Sequence, residues 1–241
     1  MHIDAAGKDF LQLNEAVRAC PEREITITGC NGQRYIGDGL AGKRLAVYGT
    51  AGNALGAYLC GSEIEVFGNA QDALGDTMDS GRIVVHGRAG DAVGYAMRGG
   101  SIFIEGDIGY RAGIHMKQYQ SKCPVLIAGG CAGSFLGEYQ AGGTIVLLNL
   151  QKEAAAVGNF CGTGMHGGRI FLRQQAPLAD LPEQVKARRA KEADWQALLP
   201  LLEEFRGYFR EAKTALSPEE FWVLSPNTQN PYRRLYTPNG G

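Results

Sequence analysis

Short stretches that alternate apolar and other residues recur along most of the chain at a fixed spacing. "LAVYG" from Leu45, "IEVFG" from Ile64, "IVVHG" from Ile83 and "IFIEG" from Ile102 begin 19, 19 and 19 residues apart. Upstream, "ITITG" from Ile25 leads by 20. Downstream, "VLIAG" from Val125, "IVLLN" from Ile145 and "IFLRQ" from Ile170 follow after 23, 20 and 25, so insertions of four, one and six residues interrupt an otherwise constant period. The first position of each stretch (Ile25, Leu45, Ile64, Ile83, Ile102, Val125, Ile145, Ile170) and the position two residues on (Ile27, Val47, Val66, Val85, Ile104, Ile127, Leu147, Leu172) are apolar throughout. That period of two places both columns on one face of a short strand. One such unit cannot enclose a core, whereas units stacked at the strand spacing of about 4.8 Å bury both columns and pair each strand with its neighbours. Links between parallel strands wind right-handed. The pattern therefore predicts an all-β solenoid, a right-handed parallel β-helix of about seven turns with a period of 19 residues.

Two further inward columns fit this reading: Leu55, Leu74, Val93, Ala112, Leu136 and Cys161, and Leu40, Leu59, Met78, Met97, Met116, Gln140 and Met165. Gln140 is the exception. Its amide either bonds to a neighbouring turn's backbone or lies in a partly open column. The outward residues Thr26, Ala46, Glu65, Val84, Phe103, Leu126 and Val146 become apolar along the series, so something covers that face: the C-terminal helices or a partner subunit. Val84 and Phe103 are for that reason candidate interface residues.

The ends break the rhythm. Residues 9–20 place Phe10, Leu13 and Val17 on one helical face, predicting a short capping helix. Residues 180–213 carry Trp195, Leu198, Leu199, Leu202, Phe205 and Phe209 on one helical stripe, with Pro200 expected to kink or restart the helix. "SPEEF" from Ser217 reads as another helix start. The organisation predicted is an N-terminal cap over 1–24, the solenoid over 25–173, and a helical extension with a proline-punctuated tail over 174–241.

Composition adds one anomaly, 35 glycines in 241 residues, about double the ordinary share. The repeat accounts for them. Gly49, Gly52 and Gly56 recur in phase as Gly87, Gly90 and Gly94, then as Gly106, Gly109 and Gly113, and later as Gly162 and Gly168. These are corner positions, where positive φ or close approach of neighbouring turns excludes a Cβ. "GDGLAGKR" (37–44) and "GTGMHGG" (162–168) match a dinucleotide fingerprint. Each runs into a strand, whereas a phosphate loop must open a helix.

Charge excludes more than it assigns. Lys and Arg number 24 against 25 Asp and Glu, which leaves no basic excess for nucleic acid. The start lacks a basic, apolar leader and no apolar run approaches a membrane span, so a cytoplasmic location is expected. Cys20, Cys30, Cys60, Cys123, Cys131 and Cys161 are scattered without metal-ligand spacing, and read as small buried thiols. His2, His86, His115 and His166 lack partners at interpretable spacing. Asn53, Asp72 and Asp91 share one turn phase and read as turn formers in preference to calcium ligands. The residues point to no catalytic, cofactor-binding or metal site. The insertion in "GYRAGIHMKQYQSKCPV" gathers Arg111, His115, Lys117, Tyr119 and Lys122 on one extruded loop, either a binding loop on a rigid scaffold or a solvated one.

The units "GDAVGYAMRGGSIFIEGDIGYRAGIHM", "AGSFLGEYQAGGTIVLLNL" and "VGNFCGTGMHGGRIFLR" resemble the GXGXG domain found at the C-terminus of the glutamate synthase large subunit and in one of the subunits of formylmethanofuran dehydrogenase. With "GNAQDALGDTM", "GIHMKQYQSKCPV" and "NPYRRLY", the chain looks most like the stand-alone version in archaeal-type, multi-subunit glutamate synthases. That resemblance implies a β-helix without an active site, serving as a structural and assembly subunit. The expected partners are a glutamine amidotransferase subunit and a synthase subunit holding FMN and iron–sulfur clusters, which together make glutamate from glutamine and 2-oxoglutarate. This chain would hold no cofactor and could form a homo-oligomer. The alternatives are the equivalent subunit of an N-methylglutamate synthase or formylmethanofuran dehydrogenase-type complex, and a self-contained enzyme or ligand binder. Gln140, where the family usually has Met, and Asn149, where it often has Gly, depart from the pattern.

Overall fold

The computed structural model describes residues 1–209 and 215–227; the "NPYRRLY" stretch lies outside them. The elements are β1 (His2–Asp4), α1 (Phe10–Ala19), β2 (Glu24–Asn31), β3 (Arg44–Thr50), β4 (Cys60–Phe67), β5 (Ser80–Val85) and β6 (Ser101–Ile104). They continue with β7 (Val125–Ala128), β8 (Ala141–Leu147), β9 (Gly167–Arg173), β10 (Val185–Arg189), α2 (Glu192–Tyr208) and β11 (Phe221–Pro226). All eleven strands join one sheet in the order β1-β2-β3-β4-β5-β6-β7-β8-β9-β11-β10.

This corrects the expected all-β solenoid, the right-handed parallel β-helix of about seven turns. The strands form one open sheet of mixed sense, mostly parallel, which with its two helices is an α/β-type arrangement. The cause lies at the ends. β1 precedes the first repeat and adds a parallel edge strand beside β2. After Arg173 the chain leaves its period and returns as β11 antiparallel to β9, with β10 antiparallel to β11. Three strands therefore lie in the segments read as caps, and "SPEEF" opens only a single 3-10 turn before β11.

Within the parallel part the spacing read from the sequence is the pairing register: Leu45 faces Ile64, Ile64 faces Ile83 and Ile83 faces Ile102. β7 is a correction. Leu126, not Val125, pairs with Ile102 and with Ile145, so the insertion before β7 is one residue longer than the sequence suggested and the one after it vanishes. A one-residue slip exchanges the faces of a strand. Leu126 and Ala128 thus join the inner cluster while Val125 and Ile127 face outward. "VLIA" is apolar at every position, so alternation could not fix its phase.

One face of the sheet is covered throughout and the other in part. One packs against its own connecting segments, through the columns led by Leu55 and Met78, and against α1, whose Leu13 and Val17 are buried. Asp9 and Gln12 cap that helix reciprocally. The other face takes α2, whose Leu198, Leu202 and Phe205, with Phe209 just beyond its end, lie on Val84, Phe103, Ile127, Val146, Phe171 and Val223. Pro200 sits on the exposed side of α2 and does not end it.

Candidate interaction surface

The segments linking the parallel strands are hydrogen-bonded to one another. Gly56, Gly75, Gly94 and Gly113 donate N–H groups to the carbonyls of Ile36, Leu55, Leu74 and Val93 at 2.7–2.9 Å. Glycine serves these corners in two ways. Gly113 has φ +68°, and a Cβ there would stand 2.4 Å from Ile145 Cδ1; Gly52 has an ordinary φ, but a Cβ would lie 2.2 Å from the Gly32 carbonyl oxygen. The fingerprint-like runs end in β3 and β9. Asn53, Asp72 and Asp91 form a ladder: their side-chain oxygens accept the N–H groups of Asp72 (3.3 Å), Asp91 (2.9 Å) and Tyr110 (2.8 Å). No group of three His, Cys, Asp or Glu side chains able to hold a metal ion occurs among the described residues.

Most side chains with chemical potential are engaged in packing, although Cys60 and Cys123 are exposed and Cys131 half-buried, against the expectation of six small buried thiols. His86 Nε2 lies 2.7 Å from Glu65 Oε1, and its ring stacks on Phe67 at 4.8 Å. His2 meets the Thr28 hydroxyl at 3.0 Å. Complete burial pushes the Cys161 thiol up to about 12, and burial also raises Cys30 and Cys131, so none of these is poised as a thiolate. Gln140 donates Nε2 to the carbonyls of Gly142 (3.1 Å) and Gly143 (3.3 Å) of its own corner, not to a neighbouring turn, and its Oε1 is buried without a partner. Asn149 adopts φ +42°, where Asn is tolerated, and its amide ties the Glu153 backbone to Arg173.

Two cavities open on the surface. One of about 260 Å³ lies over β2–β5 beside Tyr208. The other, about 570 Å³, lies among Asn149, Lys152, Arg173, Arg189 and Glu219. Its two arginines are already committed. Arg173 donates Nε and Nη2 to Glu220 Oε1 at 3.0 and 2.6 Å, and Arg189 lies over Trp222 at 4.3 Å while donating to the carbonyls of Gln174, Gln175 and Glu219.

Of the loop residues singled out in the sequence, Arg111 and His115 meet at the Glu138 segment, and the two outward residues do not join them. Val84 and Phe103 are 2% and 0% exposed beneath α2 and offer no surface. The inserted loop closes in a tight turn, with Tyr119 and Lys122 exchanging backbone bonds of 3.1 and 3.0 Å, and Lys122 folds back onto Asp79. Arg111 pairs with Glu138 at 3.1 Å and lies over Phe135 at 4.9 Å. His115 stacks on Tyr139 (5.1 Å, 8°) and meets Tyr95 edge-on (5.9 Å, 79°). Phe135 stacks on Phe160 at 4.9 Å. Tyr95, Tyr139 and Phe160 escaped the sequence reading. Writing out the corner columns as the strand columns were written would have aligned Phe160 with Phe135 and Arg111, and Tyr139 with His115.

An uncharacterized protein of Methanocaldococcus jannaschii is 40% identical over 251 aligned residues, which cover 98% of this chain and 96% of that protein. Among solved structures, the formyltransferase/hydrolase complex of Methylorubrum extorquens, crystallised with methylofuran, contains a chain that superposes with a TM-score of 0.63. That superposition covers 87% of this chain and 86% of the other at 19% identity, a likeness of fold. The GXGXG motif family matches residues 14–221, a span that takes in the second part of α1, every repeat and α2, and reaches the start of β11. The chain belongs to the GXGXG family.

Proposed function

We propose that this chain is a non-catalytic structural and assembly subunit of a multi-subunit glutamate synthase. It would hold together a glutamine amidotransferase subunit and a synthase subunit carrying FMN and iron–sulfur clusters. The observation that carries the reading is the reach of the family match, 14–221 of 241 residues, so that the GXGXG domain is nearly the whole of the described chain. The corner edge around Arg111 and His115, with exposed rings on a rigid frame, supplies a docking surface consistent with it. The fold-level likeness to a chain of a formyltransferase/hydrolase complex favours a second reading, the equivalent subunit of such a complex.

Affinity purification of the tagged chain from its native lysate separates the two. The first reading expects an amidotransferase and a flavoprotein in fixed ratio, with glutamate formed from glutamine and 2-oxoglutarate by the complex. Recovery of formyltransferase and hydrolase chains instead would establish the second. Recovery of the chain alone would reject both.

A further inference from the structure

We infer that the corner edge formed by Tyr95, Arg98, Arg111, His115, Lys117 and Tyr139 is the docking site for an acidic, carboxylate-bearing segment of a partner chain. The inference rests on the assembly reading above and adds the chemistry of the contact.

Charge is the first argument. Arg98 and Lys117 occupy the same phase of neighbouring units, since the Arg98 N–H binds the Met78 carbonyl and the Lys117 N–H binds the Met97 carbonyl. Both are exposed, and neither has an acidic partner among the described residues. Around them Arg111 is matched by Glu138 and Lys122 by Asp79, and Asp76 beside Tyr95 holds the Thr77 hydroxyl, so the Arg98–Lys117 step leaves the edge with one more cation than carboxylate. On a chain of net charge −1 this is a local excess of positive charge. Two like charges held side by side repel, and a carboxylate between them relieves the repulsion.

Shape is the second. Tyr95 and Tyr139 are 39% and 38% exposed, and His115 lies between their rings. Rigid Tyr and Arg side chains are the groups that anchor protein interfaces, because they bury much area for little lost freedom. Backbone geometry is the third. Arg111, His115, Phe135, Tyr139 and Phe160 all have φ between 54° and 63°, where a side chain is strained. The equivalent positions earlier in the chain are mixed, with Tyr35 and Tyr58 beside the small Ala54, Ala73, Ala92, Thr77 and Ala96. Large side chains at these corners add exposed area without adding to the core, and such strain collects at sites of function. A second copy cannot dock edge to edge, since its own edge carries the same sign.

The test uses the full chain with its partners. A carbodiimide joins a lysine amine to a carboxylate with loss of water, and mass spectrometry then identifies the linked peptides. The expected result is a Lys117 link to an Asp or Glu of a co-purified subunit. The R98E/K117E variant should recover that subunit roughly tenfold or more less well and keep an unchanged melting temperature, both positions being exposed. A milder R98Q/K117Q variant with an intermediate loss guards against misfolding of the charge reversal. If the wild-type chain recovers no partner, the assembly reading and this inference fall together. If it recovers partners that both variants recover equally, this inference alone falls. It also falls if Lys117 links only to copies of this chain, or if nuclease treatment abolishes recovery.

Discussion

The outer face of the sheet has two halves that share one backbone pattern and are stabilised differently. From β5 to β11 the outward column reads Val84, Phe103, Ile127, Val146, Phe171 and Val223, and α2 lies across it. From β2 to β4 it reads Thr26, Ala46 and Glu65, and no helix lies above among the described residues. The extent of α2 sets the border. Its 17 residues span about 26 Å at 1.5 Å per residue, while six strands at about 4.8 Å spacing span about 24 Å. The helix covers β5 through β11 and stops at Tyr208 and Phe209, beside Arg82 and His86. In the covered half the outward side chains are held by burial, and in the open half by pairing across strands. There Glu24, Arg44, Glu63 and Arg82 form an alternating row of ion pairs that ends on Glu204 of α2, and Tyr48, Phe67 and His86 stack in a second row.

The largest expected effect lies in the covered half. Phe103 is fully buried against Phe205 (6.0 Å, 80°) and Tyr208. Phe103→Ala removes a large side chain from a packed site, and a loss of about 3–5 kcal/mol is expected. Denaturant unfolding with a linear extrapolation measures it, and Ala46→Ser in the open half serves as the near-neutral control. Equal losses at the two positions would show that α2 does not divide the face in this way.

The border also marks where sequence reasoning succeeded and where it stopped. The inner columns could be read because burial forces an apolar residue at both positions of every repeat, and the α1 and α2 stripes because a helix face repeats at a similar demand. β7 resisted, since an all-apolar "VLIA" carries no phase. β10 and β11 were hidden because "VKARR" is mostly polar, with only Val185 buried, and because "FWVLSP" follows a helix-like "SPEE". The cover over Val84 and Phe103 was legible only as two alternatives, since a column of apolar residues states that something lies above it but not what. The proposed docking edge was half legible. An insertion draws attention to Arg111, His115 and Lys117, whereas Arg98 and Tyr139 lie on regular turns and are joined to them only by stacking of the units.

A smaller effect is expected where α2 is fastened. Arg188 grips Asp194 with Nη1 on Oδ2 at 2.5 Å and Nη2 on Oδ1 at 2.9 Å, and Oδ2 also accepts the Lys191 N–H at 2.9 Å. The Asp194 side chain is 6% exposed. The Arg188 hydrogen bonds hold its carboxyl below the usual aspartate range. Because the folded form binds its proton less readily than the unfolded form, the stabilisation is fully present above the ordinary aspartate pKa. It is lost as pH falls through the lower, folded value. Asp194→Asn should cost about 1.5–3 kcal/mol at neutral pH. The gap between wild type and variant should close in acid, measured as melting temperature across a pH series. A gap that stays constant down to strongly acidic pH would mean the loss is one of packing and not of charge.

The smallest effect belongs to the open half. Arg44 reaches Glu63 at 3.1 Å and Glu24 at 4.0 Å, with side chains 57%, 43% and 79% exposed, so water screens both pairs. Exposed pairs of this kind contribute about 0–1 kcal/mol. Arg44→Ala should therefore lower stability by less than about 1 kcal/mol, and the difference should shrink further as salt shortens the screening length to about 3 Å near 1 M. Arg82 offers the contrast within the same row. Its guanidinium is 29% exposed, pairs with Glu63 and Glu204, and lies over the Tyr208 ring at 5.7 Å, bridging open strand to helix. Arg82→Ala should cost more than Arg44→Ala and keep most of that cost in high salt, since a half-buried cation over an aromatic ring contributes packing as well as charge. Matched salt titrations of the two variants decide the matter. If both losses vanish alike in high salt, Arg82 is only another surface pair, and the border between the two halves lies at the edge of α2 with nothing fastening it to the open strands.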